Sequence, residues 1–428
     1  MSTLVGRFTG SVAGSRFRQN VAVLGGGTAI SQGLLVVAAP VLTRLYSPQD
    51  MGLMGLYLAY VGFVTVAVSL RYDAAIVSAR DRSEAAHLVV ISVLLIVPTS
   101  MCFAAFLYGM IRLKLLGFGN LPAYTVLLAL PFTLLVGVFG ALRYWFIREE
   151  TLGVVSKALV AQSGARSFFQ VAFGAFRIGW VGLVGGDLLS RATSVWRMVR
   201  IGWPAVLPEV FPWNRGKAVA ALRAHRQFPL FSLPSSIVDT LALSLPLPLI
   251  ADLYGPSSAG HFSLVLRVLS LPLALVGTSV ADAFHGRLAA YARDEPSRGT
   301  AFFHRTARVL FLIGSGPTIL LVIFGETLFR LVFGQQWAVA GQLATVVAPW
   351  TLTQLVVSPL SRVVYVLDGL KLKLAYDLVS LGATFGAILI GHSRGLSLLD
   401  TVLLLSSANI LANLLYFLLL AHIVGRKR

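Results

Sequence analysis

Charge is what this chain of 428 residues lacks: Asp, Glu, Lys and Arg together make up 12% of it, where a soluble domain carries about a quarter. A water-soluble globular fold is thereby excluded. Acid is scarcer still, with 17 acidic residues against 35 basic ones, which leaves few carboxylates for acid–base chemistry or a cation site. Cys102 is the single cysteine, so no disulfide forms within the chain and the redox compartment is unconstrained. The seven histidines, from His87 to His422, show no metal-ligand spacing, and no metal is expected. No P-loop pattern occurs, and Gly25, Gly26 and Gly27 fall in a helical run rather than between a strand and a helix, so no nucleotide or other cofactor is expected. The pentad Gly391, His392, Ser393, Arg394, Gly395 spells G-x-S-x-G, but a nucleophile elbow needs a strand feeding a helix, with acid and histidine partners following. Here it is a tight turn between two apolar runs, and an enzyme is not expected.

Apolar sequence is abundant. Hydrophobic residues make up 57% and mean hydropathy is +0.81. Runs of about 20 such residues cross about 30 Å of hydrocarbon as helices, and twelve are present: 21–43, 50–70, 86–109, 122–142, 153–176, 180–199, 228–253, 260–281, 302–325, 338–361, 373–391 and 398–421. The expected fold is all-α and polytopic. Residues 1–20 read as a cytoplasmic surface segment, 21–199 as a six-helix bundle, 200–227 as a basic cytoplasmic linker, 228–421 as a second six-helix bundle, and 422–428 as a basic tail. The first run is too long for a signal peptide and is followed at once by another span.

Pro40, Leu45, Tyr46, Pro48 and Gly52 recur as Pro248, Leu253, Tyr254, Pro256 and Gly260, each 208 positions later. Both copies sit where a long apolar run ends, so the chain reads as a duplication of two related halves, the arrangement of many transporters. Basic residues gather at one face: Arg200, Arg215, Lys217, Arg223 and Arg226 lie in the central loop, and Arg426, Lys427 and Arg428 end the chain. The positive-inside rule then places both termini in the cytoplasm. A net charge of +18 reflects topology and anionic lipid headgroups rather than nucleic acid.

Ionisable groups inside spans face a bundle interior or a watery cavity and are functional candidates by default. In the eighth run, Gly260, Ser263, Arg267, Ser270, Ala274 and Ala281 recur at three- and four-residue intervals, a small polar stripe with one guanidinium near its middle. Ser232, Ser235, Ser236, Asp239, Ala242 and Pro246 form a matching stripe in the seventh, with Asp239 the natural counter-charge for Arg267. Gln162, Arg166 and Gln170 share one face of the fifth run, suited to sugar hydroxyls and phosphate oxygens or to gluing helices together. Asp187 and Arg191 stand four apart in the sixth, the spacing of a structural same-helix ion pair. Gln32 in the first run falls beside the repeat-equivalent of Asp239 and is expected at the same cavity. The repeat also sets Arg44 opposite Asp252, a candidate gate. A modestly cationic cavity of this kind suits an anionic, phosphate-bearing ligand, and prolines such as Pro246 and Pro248 allow helices to bend.

Leu42, Thr43, Arg44, Tyr46, Pro48 and Gly52, followed by Arg71, Tyr72, Ala75 and Ile76, resemble the opening of Wzx-type polysaccharide flippases of the MOP exporter superfamily. Phe228 and Pro229, Arg267, Leu271 and Pro272, the stretch Gly325, Leu328, Phe329, Phe333, Gly334, Trp337 and Gly341, and Pro349, Trp350, Pro359 and Leu360 continue the resemblance over essentially the whole chain. It implies two six-helix bundles in a V around a central cavity. It also implies transport of undecaprenyl-diphosphate-linked oligosaccharide across the bacterial inner membrane by alternating access, for surface polysaccharide assembly. The implied partners are that lipid-linked oligosaccharide, membrane lipids and other assembly proteins, with the protein working as a monomer. Lipid II flippases of the superfamily carry two further helices, so the twelve runs point away from peptidoglycan.

Two rival readings differ in class. A MATE-like multidrug or cation exporter shares the twelve-span plan but usually keeps an acidic cation site, for which only Asp187 and Asp239 are available. A polysaccharide polymerase or ligase usually carries a large periplasmic loop, which this sequence lacks.

Overall fold

In the computed structural model, every regular element among the described residues is helical. The backbone is described for residues 2–273, 280–281, 284–285, 287–288, 291, 296–367 and 370–426, and side chains within these from 23 onward except 24, 238–239, 242–243, 272, 296–297, 365–366, 370–372, 374 and 426. In chain order the main helices are α1 (Ser2–Leu45), α2 (Pro48–Ala67), α3 (Arg82–Arg112), α4 (Thr125–Arg148), α5 (Leu152–Ala175), α6 (Trp180–Val210), α7 (Arg215–Ala224), α8 (Leu233–Ser244), α9 (Pro246–Tyr254), α10 (Pro256–Pro272), α11 (Pro296–Phe333), α12 (Ala338–Leu360), α13 (Leu370–Ser393) and α14 (Leu398–Arg426).

Each apolar run becomes helix, although the second half of the eighth lies outside the described residues. Eight of the helices, α1 to α4 and α11 to α14, are long and apolar enough to cross a membrane, and the chain is a multi-pass membrane protein. The eighth expected span runs beyond the described residues. Charged groups interrupt α5 and α6. Proline breaks the seventh run into a wide π-type turn at Phe228–Ser232, then α8, then α9. Pro229, Pro234, Pro246 and Pro248 each withhold an amide donor, which prevents one uninterrupted ladder. The G-x-S-x-G pentad closes α13 and turns through Gly395 at φ 65°, with no strand before it.

Contacts group the chain into two compact units, one of Met1–Tyr46 and Leu53–Pro248, the other of Ser47–Gly52 and Leu249–Arg428. The region 200–227, expected as a loop, is mostly helical and belongs to the first unit. Helix α6 runs on to Val210, and the Asn214 side chain caps α7 by accepting the Lys217 amide at 3.1 Å. Val206, Val210, Ala218 and Ala221 are buried with Ile76, Ala86 and Trp145 in one core, so short apolar side chains at helical spacing dock this segment. Ion pairs surround it: Arg82 reaches Glu149 at 3.1 Å and Glu209 at 3.3 Å, and His225 lies 3.4 Å from Glu84. In the turn after α2, Leu70 and Arg71 hold left-handed backbone (φ 51° and 66°), and Arg71 Nε donates to Ser232 Oγ at 3.4 Å. Asp73 in the same turn is buried, and desolvation pushes its carboxyl above the usual range against the pull of Ser69, Ala74 and Arg71.

The second unit contains the repeat's most telling contact. Pro48 and Pro256 open α2 and α10, as proline does at a helix start. A Cβ built on Gly52 would lie 1.8 Å from the Pro256 carbonyl oxygen, and a Cβ on Gly260 would lie 1.8 Å from that of Pro48. The relation is reciprocal, so residues 48–52 and 256–260 cross about a local two-fold with only glycine able to fill the crossing. The repeated tyrosines are anchored too, each within its own unit: Tyr46 donates to the Gln170 carbonyl at 2.7 Å, and the Tyr254 hydroxyl is 2.6 Å from Thr401 Oγ1.

Candidate functional site

A buried polar site in the first unit lies on the seam between α5 and α6. Gly186 lets the helices close up, since a Cβ there would sit 2.7 Å from Gln170 Cγ. Two glutamines stitch the seam: Gln170 Nε2 donates to the Leu183 carbonyl at 2.8 Å, and Ser194 Oγ donates to Gln162 Oε1 at 3.3 Å. Both amides are thus engaged in holding the helices together.

Between them sits a charged triad. The Asp187 side chain is 0% exposed and faces two guanidiniums, with Arg166 Nε 3.2 Å from Oδ1 and Arg191 Nε 3.2 Å from Oδ2. A buried carboxylate requires such partners. The two arginines are held differently. Arg191 is hydrogen-bonded to Oδ2 and lies 4.6 Å over the Phe132 ring, which Tyr57 meets edge-on at 5.2 Å. Arg166 approaches Oδ1 as a charge, but its Nε–H is not aligned on that oxygen, so neither atom makes a hydrogen bond. Two positive charges against one negative leave the triad net cationic. Arg166 and Arg191 keep 14% and 22% exposure.

The remaining candidates lie elsewhere. Arg267 is half-buried on α10, and Ser270 and Ser263 turn their hydroxyls back to the carbonyls of Arg267 (3.0 Å) and Gly260 (2.8 Å). Asp239 lies on α8, and its side chain is outside the described residues. Gln32 is half-buried on α1, next to Ser31, which bonds to the Gly27 carbonyl at 2.8 Å. Arg44 belongs to the first unit and donates to the Pro40 carbonyl at 3.1 Å, whereas Asp252 is exposed near the end of α9 in the second.

Two features escaped the sequence. Phe132 and Tyr57, which seat Arg191, come from other helices and leave no trace in spacing. The second unit has a neutral counterpart to the triad: Tyr376 donates to Asn413 Oδ1 at 2.6 Å, Asn413 Nδ2 donates to Thr353 at 2.9 Å, and Asn409 Nδ2 donates to Thr384 at 3.2 Å. Asn409 and Asn413 stand four apart inside an apolar run, a signal of the same kind as Gln162 and Arg166.

Residues 41–342 match the profile of a family described as polysaccharide biosynthesis protein. The chain belongs to that family. Among curated relatives of this polysaccharide biosynthesis protein, the succinoglycan biosynthesis transport protein ExoT of Rhizobium meliloti (strain 1021) is 24% identical over 396 residues, covering 88% of this chain and 74% of its own length. Among solved structures, an inward-facing multidrug-resistance MATE family transporter of the MOP superfamily matches with a TM-score of 0.70 at 16% identity, over 92% of this chain and 95% of that one. A MOP superfamily transporter from Pyrococcus furiosus matches with a TM-score of 0.59 at 15% identity, over 95% and 96%. At such identities the likeness is one of fold. The family shown by the profile and the fold shown by these structures both agree with the resemblance to Wzx-type polysaccharide flippases of the MOP superfamily.

Proposed function

We propose that this member of the polysaccharide biosynthesis family is a flippase carrying undecaprenyl-diphosphate-linked oligosaccharide across the bacterial inner membrane by alternating access, with both termini cytoplasmic. The observation that carries this reading is the Arg166–Asp187–Arg191 triad, a net positive charge inside a helical membrane unit. Buried cationic groups suit a diphosphate, because guanidinium forks match phosphate oxygens. Arg267 on the small polar stripe of α10 is a second contact in this proposal, with Asp239 as its counter-charge. Membrane lipids and other assembly proteins are the further partners, and the monomer is the working unit.

Deleting the gene should make lipid-linked oligosaccharide accumulate on the cytoplasmic face of the membrane, read by its inaccessibility to a periplasmic glycan-modifying enzyme. Unchanged levels and sidedness would refute the proposal. The MATE-type alternative predicts instead that vesicles bearing the protein accumulate a fluorescent organic cation.

The gate role of Arg44 and Asp252 rests on their equivalent places in the repeat. Arg44→Asp or Asp252→Arg alone should lower export, and the double swap should restore part of it. A solvated pair contributes only about 0 to 1 kcal/mol, yet about 1.4 kcal/mol shifts a two-state equilibrium tenfold. No rescue at matched expression would leave each charge an anchor for its own helix end.

A further inference from the structure

The triad's two arginines differ in a way that separates their roles. Arg191 is fixed three times over, by its own helix register with Asp187, by an aligned hydrogen bond to Oδ2 and by the Phe132 ring beneath it. Arg166 has the charge contact without the alignment, and both its Nε and Asp187 Oδ1 are buried without a hydrogen bond. Leaving a buried donor and acceptor unmet is costly. Ser167 Oγ, the next residue on α5, is likewise buried and unbonded, as is Tyr60 OH on α2. Native interiors leave few such groups unsatisfied, and each needs an explanation. Nor does the α5–α6 seam need Arg166 to stay closed, because Gln162 and Gln170, one turn to either side, already bridge it.

We propose that Arg166 is the arm that grips the diphosphate of the lipid-linked substrate, and that Asp187 is an internal anion which occupies its guanidinium until the substrate displaces it. This deepens the flippase reading and rests on it. The exchange is isoelectric in kind: an anionic oxygen of the ligand takes the place of Asp187 Oδ1 at Arg166, while Oδ2 stays hydrogen-bonded to Arg191. Asp187 is then never left without a cationic partner. A competing carboxylate keeps affinity moderate, which a carrier needs because it must release what it binds.

The two groups carry opposite predictions. With purified folded protein in phosphatidylcholine nanodiscs and undecaprenyl diphosphate as the probe, Arg166→Gln should weaken binding by roughly tenfold or more, the value of a charged hydrogen-bonded contact. Asp187→Asn, which keeps the side chain's shape and removes the competing charge, should tighten it by about tenfold. A merely structural role for Asp187 cannot produce that gain, and a misfolded variant would not show it. Arg191→Gln should chiefly lower thermal stability. Wild-type affinity in Arg166→Gln, or no gain in Asp187→Asn while the wild type binds, would overturn the inference and leave the flippase reading standing. Absence of binding by the wild type would overturn both. A parallel arm with phosphatidylglycerol in place of undecaprenyl diphosphate identifies the anion's source: equal Arg166 dependence there would make this an ordinary headgroup site and overturn the assignment to substrate.

Discussion

Arg267→Ala should reduce surface polysaccharide export to background, while Arg267→Lys should keep a measurable fraction of it. Arg267 is half-buried on α10, whose described sequence holds no other Lys, Arg, Asp or Glu, and a cation inside a span is a functional candidate by default. Lysine preserves the charge but loses the planar fork that engages two phosphate oxygens at once. The comparison therefore separates charge from geometry. Export and membrane abundance should be measured together, because normal polysaccharide from a stably expressed Arg267→Ala protein would remove this residue from the transport path.

Gly52→Ala and Gly260→Ala should each destabilise the protein by more than the roughly 1–3 kcal/mol of ordinary overpacking. The obstacle is backbone, a carbonyl oxygen 1.8 Å from the added carbon in each case, and no rotamer change relieves it. Helix α2 would have to move off α10 at the start of both. Gly316→Ala on α11 is the matched control, with nothing within 4 Å of the added carbon, and should be neutral or slightly stabilising, since alanine favours helix by about 1 kcal/mol over glycine. Thermal melts in detergent decide the matter: equal melting temperatures for Gly52→Ala and Gly316→Ala would mean that the crossing is loose in solution.

The helical plan was legible because the bilayer imposes one rule, about 20 apolar residues per crossing, and the runs are helical over their described residues. The repeat was legible at single residues: Pro48 and Gly52 occupy the same local positions as Pro256 and Gly260. The docking of 200–227 was hidden, since its apolar buried face is carried by the small side chains of Val206, Val210, Ala218 and Ala221, and the flanking arginines and lysine gave the stretch the composition of a loop. The site was legible along a helix but not across helices. Spacing of four exposed the Asp187 and Arg191 pairing as an arithmetic possibility, and nothing in the sequence could say that Arg166, 21 positions earlier, shares the same carboxylate. The same limit concealed the seat that Phe132 provides for Arg191, and the thread from Tyr376 through Asn413 to Thr353.

The reciprocal contact between Gly52 and Gly260 bears on how such a chain arose. Before a duplication, one glycine would have met its own copy across the two-fold axis of a homodimer, an interface in which the same patch serves both partners. Any substitution would then have been felt twice, once on each side, with no possibility of compensating one copy by altering the other. In a single polypeptide that restriction is lifted wherever the two segments face different neighbours. At the crossing itself it stands. Each glycine confronts the other segment's backbone, so here neither segment is free to change without the other.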